Sequence, residues 1–196
     1  MFFQKKKNQK GFTLIELLVT ISIFVILTGV VIFNESKFNS TVLLTNLAYD
    51  TALTIRQAQT YGINIKEFGD NKFIPYGVHF ATGANNKSFI LFADVEYIND
   101  SSVAHPYDTN ATLSECETKY GCVSRYTIQR GNYISDLKVD GASVDTLDIV
   151  FKRPNPDALI YSGGTAHNSA QIYLKSSDGT GSTTISVWAN GLIQIN

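Results

Sequence analysis

The sequence is poor in cysteine, histidine and proline, and each shortage excludes a class of protein. Its two cysteines, Cys116 and Cys122, have no second cysteine pair or nearby histidine to complete the four ligands of a structural zinc site. Only four prolines against 12% aromatic residues argue against a disordered tail and for a packed domain. No H-E-x-x-H, G-x-S-x-G elbow, phosphate loop or dinucleotide fingerprint occurs, so no catalytic constellation and no cofactor are predicted. His79, His105 and His167 stand apart from one another and read as surface or packing residues. Asp94, Glu96, Asp100 and Asp108 fit no EF-hand spacing and read as solvated acids of a polar loop, so no metal is expected.

Basic charge is scarce outside one place. Of 16 basic residues, Lys5, Lys6, Lys7 and Lys10 precede residue 11; without them 12 basic face 17 acidic residues, a net charge of about −5. A nucleic-acid binder shows a basic footprint. Here the end, Gly191–Asn196, is uncharged, and the nearest basic cluster is Lys152-Arg153, whose two charges release few counterions. Nucleic acid is therefore not the expected partner.

What the sequence has is an apolar run from Phe12 to Phe33, directly after Gly11 and the lysines. As a helix it would be roughly 33 Å long, enough to cross a hydrocarbon core. The lysines before it predict a cytoplasmic N-terminus and an extracytoplasmic bulk. Its one ionisable side chain is Glu16, and a carboxylate inside such a segment costs about 2.5–3.5 kcal/mol on insertion scales. An ordinary secretory signal has an apolar core of only about 7–15 residues and a small-residue cleavage site after it; neither applies here. A plain membrane anchor accounts for the length but not for Glu16 or Gly11.

Past Asn34-Glu35-Ser36-Lys37 the pattern becomes amphipathic. Leu44, Leu47, Ala48, Ala52, Ile55, Ala58 and Gly62 share one helical face, with Asn46, Asp50 and Gln57 opposite. Tyr61-Gly62 reads as the helix stop, with Gly62 in a left-handed cap. Strands are predicted at 73–80, 88–95, 124–130, 133–139, 147–152, 170–175, 184–189 and 192–195. Thr82–Asn86 reads as the turn of one hairpin and Asn190-Gly191 as the turn of another. The stretch from Glu96 to Cys122 reads as a long polar insertion, the most mobile part of the domain. The fold class is thus α+β, a long N-terminal helix packed on a mostly antiparallel β head. Its parts are a leader at 1–11, a helix at 12–62 with a transmembrane part at 12–33, and a head at 63–196. With the head outside the cytoplasm, Cys116 and Cys122 are read as a disulfide, worth about 2 kcal/mol, with free thiols as the other reading.

The basic leader ending in Gly11, followed by Phe12-Thr13-Leu14-Ile15-Glu16-Leu17-Leu18-Val19, resembles the start of type IV pilins and type II secretion pseudopilins. That resemblance implies cleavage between Gly11 and Phe12 by a membrane-embedded prepilin peptidase, and N-methylation of Phe12. It also implies pairing of Glu16 with the amino group of a neighbouring subunit's Phe12 during filament assembly. The implied partners are other pilin or pseudopilin subunits, the prepilin peptidase/methyltransferase and an inner-membrane assembly platform. The implied location is the cytoplasmic membrane, then a pilus or pseudopilus. The segments 47–58 and Tyr76-Gly77-Val78, with the C-terminal hairpin and Ala170–Leu174 before it, are similar to minor pseudopilins of the GspH and FimT type. The expected function is structural, not enzymatic. The alternatives are a membrane-anchored surface binding protein with an uncleaved helix, or a FimT-like pilin for DNA uptake.

Overall fold

The structure, a computed structural model, describes residues 11–64, 66–70, 73–95, 107 and 121–196, and of these the side chains of all but residues 31–39. Helix α1 spans Leu14–Ile63, and the chain divides into two compact units, Met1–Asn39 and Ser40–Asn196. The division falls inside the helix and not at its end, because the amphipathic part of α1 belongs to the core of the second unit. Leu44, Leu47, Ala48, Ala52, Ile55 and Ala58 are all buried there, the face that the 3.6-residue period picks out.

Two antiparallel sheets complete that unit. The first is built from β1 (Tyr76–Ala81), β2 (Ser88–Ala93), β3 (Cys122–Thr127), β6 (Thr146–Phe151), β7 (Ala158–Ser162) and β8 (Thr165–His167), in the order β3-β2-β1-β6-β7-β8. The second holds β4 (Tyr133–Val139), β5 (Ala142–Val144), β9 (Ser169–Lys175), β10 (Ser182–Trp188) and β11 (Ile193–Ile195), in the order β11-β10-β9-β4-β5. A short 3-10 turn at Gly83–Asn85 makes the first hairpin. One core cluster joins the helix stripe to Val78, Phe80, Leu91, Leu147 and Ile149 of the first sheet and to Leu137, Ile172, Leu174, Ile185 and Val187 of the second. Helix and strands together give the expected α+β class. Strands β5, β7 and β8 are additional to those read from the pattern. Two of them follow tight turns, Asp140-Gly141 and Gly163-Gly164, in which both residues have positive φ, as two-residue hairpins need.

Polar contacts fix the helix to both sheets. Tyr126 Oη on β3 donates to Asp50 Oδ2 at 2.7 Å while its ring stacks on Phe89 at 4.7 Å. Burial and the Asp50 carboxylate push the Tyr126 phenol up to about 12. Gln59 Nε2 donates to the carbonyls of Pro156 and Gly191, tying the helix to the loops beside β7 and β11. Ser40 Oγ and Ser176 Oγ both donate to Asp178, which pins the β9–β10 turn to the helix.

The reading of Gly62 as a left-handed cap is corrected. Gly62 is helical, α1 ends after it at Ile63, and its φ is not positive. It is glycine because a Cβ there would sit 2.3 Å from the Phe151 carbonyl oxygen on β6. Gly62→Ala is therefore expected to lower stability by about 1–3 kcal/mol through overpacking. Gly29→Ala, where a Cβ meets nothing within 4 Å, should cost nothing. Urea denaturation of the full chain in detergent measures both; equal midpoints would refute the close-packing explanation.

Candidate processing and assembly segment

Residues 11–13 are not helical, and α1 begins at Leu14. The Gly11–Phe12 bond thus lies just ahead of the helix, with Phe12 86% exposed and, among the described residues, nothing within 4 Å of where a Gly11 Cβ would sit. Glu16 closes the helix start. Its Oε2 accepts from the Thr13 N–H at 2.9 Å and from Thr13 Oγ1 at 2.8 Å, and the Glu16 N–H donates back to Thr13 Oγ1 at 3.3 Å. This is a reciprocal capping box, T-x-x-E, a second role for Glu16 that the spacing of Thr13 and Glu16 already signals in the sequence. Both contacts fall on Oε2; Oε1 has no hydrogen bond among the described residues.

Beyond Glu16 the side chains are apolar on every face. Leu17, Leu18, Ile21, Phe24, Val25, Leu27 and Val30 are each more than half exposed within this unit. The few hydroxyls satisfy themselves: Thr20 Oγ1 donates to the Leu17 carbonyl, Ser22 Oγ to Leu18 and Thr28 Oγ1 to Phe24. Such back-bonding leaves no polar group that needs water. Among the described residues no helix is long and apolar enough to cross a membrane. The expected span, 12–33, runs past Val30, after which side chains lie outside the described residues until Ser40.

Residues 6–32 match the family model of the prokaryotic N-terminal methylation motif. The chain carries that motif. It holds Gly11, Phe12 and Glu16 together at the head of α1, with Lys6, Lys7 and Lys10 before them. It supports a pilin-like filament chain with a structural role, processed by a prepilin peptidase and located at a membrane or in a pilus. No curated protein and no solved structure matches the chain.

The other residues singled out from the sequence are dispersed. Cys122 is buried on β3 and disulfide-bonded, while Cys116 lies outside the described residues, as do His105, Glu96, Asp100 and Asp108. Asp94 is not solvated but buried, and its carboxylate, after burial itself, helps to raise the Tyr161 phenol. Among the described residues no group of three or more metal-ligating side chains is placed to hold an ion. Arg153 of the Lys152-Arg153 pair lies over the Phe73 ring, 4.4 Å from its centroid.

His79 is more than an isolated packing residue. The registers of β3, β2, β1, β6 and β7 align Arg125, Ile90, His79, Asp148 and Tyr161 in one row across the outer face of the first sheet. His79 is 1% exposed, and its Nδ1 lies 2.7 Å from Asp148 Oδ1. Tyr107 covers the row: its ring sits 5.2 Å from that of His79 and 5.3 Å from that of Phe92, and its N–H donates to the same Asp148 oxygen at 3.3 Å. The stretch expected to be the most mobile therefore contributes a buried side chain, 3% exposed, to a second apolar cluster with Ile90, Phe92, Cys122 and Val150. Asp148→Ala should cost about 3 kcal/mol by stranding His79 and the Tyr107 N–H in an apolar setting. His79→Leu combined with Asp148→Leu should recover part of that loss. A double-mutant cycle in urea measures the coupling, and simple additivity would mean the pair is not coupled.

Proposed function

We propose that this chain is a structural subunit, a pseudopilin or minor pilin, of a type IV pilus-like or type II secretion filament. The observation that carries the reading is the methylation motif set on a helix start whose surroundings are apolar on all sides. In this reading the segment 12–33 is a single-pass transmembrane anchor in the cytoplasmic membrane, with the β domain extracytoplasmic. The helix followed by antiparallel strands and a closing hairpin at Asn190-Gly191 supports a head of the GspH and FimT type. The disulfide of Cys122 is assigned to Cys116 as an intrachain bond of that head. Prepilin peptidase cuts the Gly11–Phe12 bond and Phe12 is N-methylated. The chain then leaves the bilayer through an inner-membrane assembly platform.

Assembly turns on Glu16. Its Oε2 is engaged by Thr13, and its Oε1 can accept the ammonium of Phe12 on a neighbouring subunit. Burying the two charges together offsets their separate desolvation and sets the axial register. N-terminal sequencing of protein from host membranes should begin at Phe12, and Gly11→Val should block maturation; a start at Met1 would overturn the reading.

Glu16→Leu should be inserted and cleaved yet be absent from sheared filaments, because the neighbour's buried ammonium loses its partner, a break of roughly 3–5 kcal/mol. Glu16→Gln, able to hydrogen bond, should assemble in part. Normal assembly of Glu16→Leu would end the pairing proposal, and accumulation of both variants uncleaved would place the role of Glu16 in processing instead.

A further inference from the structure

Where α1 passes the loop between β3 and β4, an open pocket of about 120 Å³ is set into the surface. Leu43 and Leu47 of α1 and Ile128 of the loop give it apolar walls, and Asp50, Arg130 and Asn132 line it as well. A cavity of about 150 Å³ takes a benzene, so this one takes a guest of about five or six heavy atoms.

Each of the three polar residues has bonding capacity left over. Tyr126 Oη donates to Asp50 Oδ2, and Asp50 Oδ1 accepts no hydrogen bond among the described residues. Asn132 is 3% exposed; its Oδ1 accepts from the Ser177 N–H at 3.2 Å, while its NH2 group has no hydrogen bond among the described residues. A buried amide nitrogen without an acceptor is costly, and for Asn132 the pocket is the place from which an acceptor can come. Arg130 is exposed and forms no hydrogen bond or ion pair among the described residues, with Asp50 or with any other carboxylate. Its backbone is left-handed, with φ +58°, where a non-glycine residue is strained.

A carboxylate and a guanidinium thus line one small pocket without meeting. What completes both is a guest carrying both charges, an ammonium for Asp50 Oδ1 and a carboxylate for Arg130 and the Asn132 amide. A guest with a single charge satisfies one of them and is repelled by the other. We propose that this pocket binds a small zwitterion of amino-acid type, with a short apolar side chain against Leu43, Leu47 and Ile128. The planar pairing of guanidinium with carboxylate orients such a guest as well as holding it. All of these residues belong to the unit Ser40–Asn196, so the inference does not depend on the filament reading.

The test titrates alanine into the isotope-labelled full chain in a nonionic detergent and follows the Asn132 side-chain NH2 resonance, which should shift to saturation. Ethylamine, which lacks the carboxylate, and propionate, which lacks the ammonium, should each bind more weakly by about tenfold or more. Asp50→Asn keeps an oxygen for the Tyr126 hydroxyl but removes the charge. It should lower alanine affinity by about tenfold and bring propionate closer to alanine. Arg130→Gly, which suits the left-handed backbone there, should lower alanine affinity to a similar extent. No saturable shift at Asn132, ethylamine or propionate binding as tightly as alanine, or unchanged alanine affinity in both variants would overturn the inference.

Discussion

The close seating of the second half of α1 between two sheets is the constraint on which the globular unit depends. Ala48, Ala52 and Ala58 keep that helix face thin, while Leu44, Leu47 and Ile55 supply the buried area. At Gly62 the approach becomes so close that backbone meets backbone, with the Phe151 carbonyl where a side chain would be. Every other fixture follows from this seating. Tyr126, Gln59 and Ser40 are polar groups at the margins of the apolar contact, each bonded across it to an element of a different sheet or loop. None of them could hold the helix alone, since a typical intramolecular hydrogen bond contributes only about 1 kcal/mol net. Their effect is on register and rotation of a helix that apolar burial already holds in place.

The first sheet is buried on both faces at its centre, which is unusual for an antiparallel sheet with a single helix to cover it. Strands β1, β2 and β6 show the result, with nearly every position buried. The side away from the helix contains a polar row as well as apolar groups, and Asp148 links the two strands and the covering residue by accepting from Tyr107 while facing His79. A carboxylate bonded to groups from two stretches other than its own specifies their mutual placement more sharply than apolar contact does.

The N-terminal segment was legible because its signal is local: lysines, glycine, aromatic and carboxylate stand within a dozen residues, and no tertiary information is needed to see them. Strands of the half-buried kind were equally plain, as in β9, where buried and half-exposed residues alternate from Ser169 to Lys175. The short edge strands β5 and β8 were not, since three residues are too few to show a period, although Asp140-Gly141 was a turn signal available to be read. The pairing of His79 with Asp148 was out of reach. The two residues are 69 apart in the chain, and only the register of β1 on β6 brings them face to face. The reason for Gly62 was likewise tertiary, since a glycine near a helix end has the same sequence signature whether it caps or makes room.

The capping box at Thr13 and Glu16 also bears on electrostatics. The unpaired N–H groups of an α-helix give its first turn a partial positive charge of about half a unit, so a cation placed there is repelled. Cutting after Gly11 would create a new ammonium one residue before Thr13, at the positive end of this dipole. The carboxylate held at Glu16 then acts within its own chain as a counterweight that keeps the first turn wound despite the added charge. In the proposed pairing, a helix that keeps its first turn presents Oε1 at a fixed height and azimuth, so the preparation of the donor end and of the acceptor end is a single event.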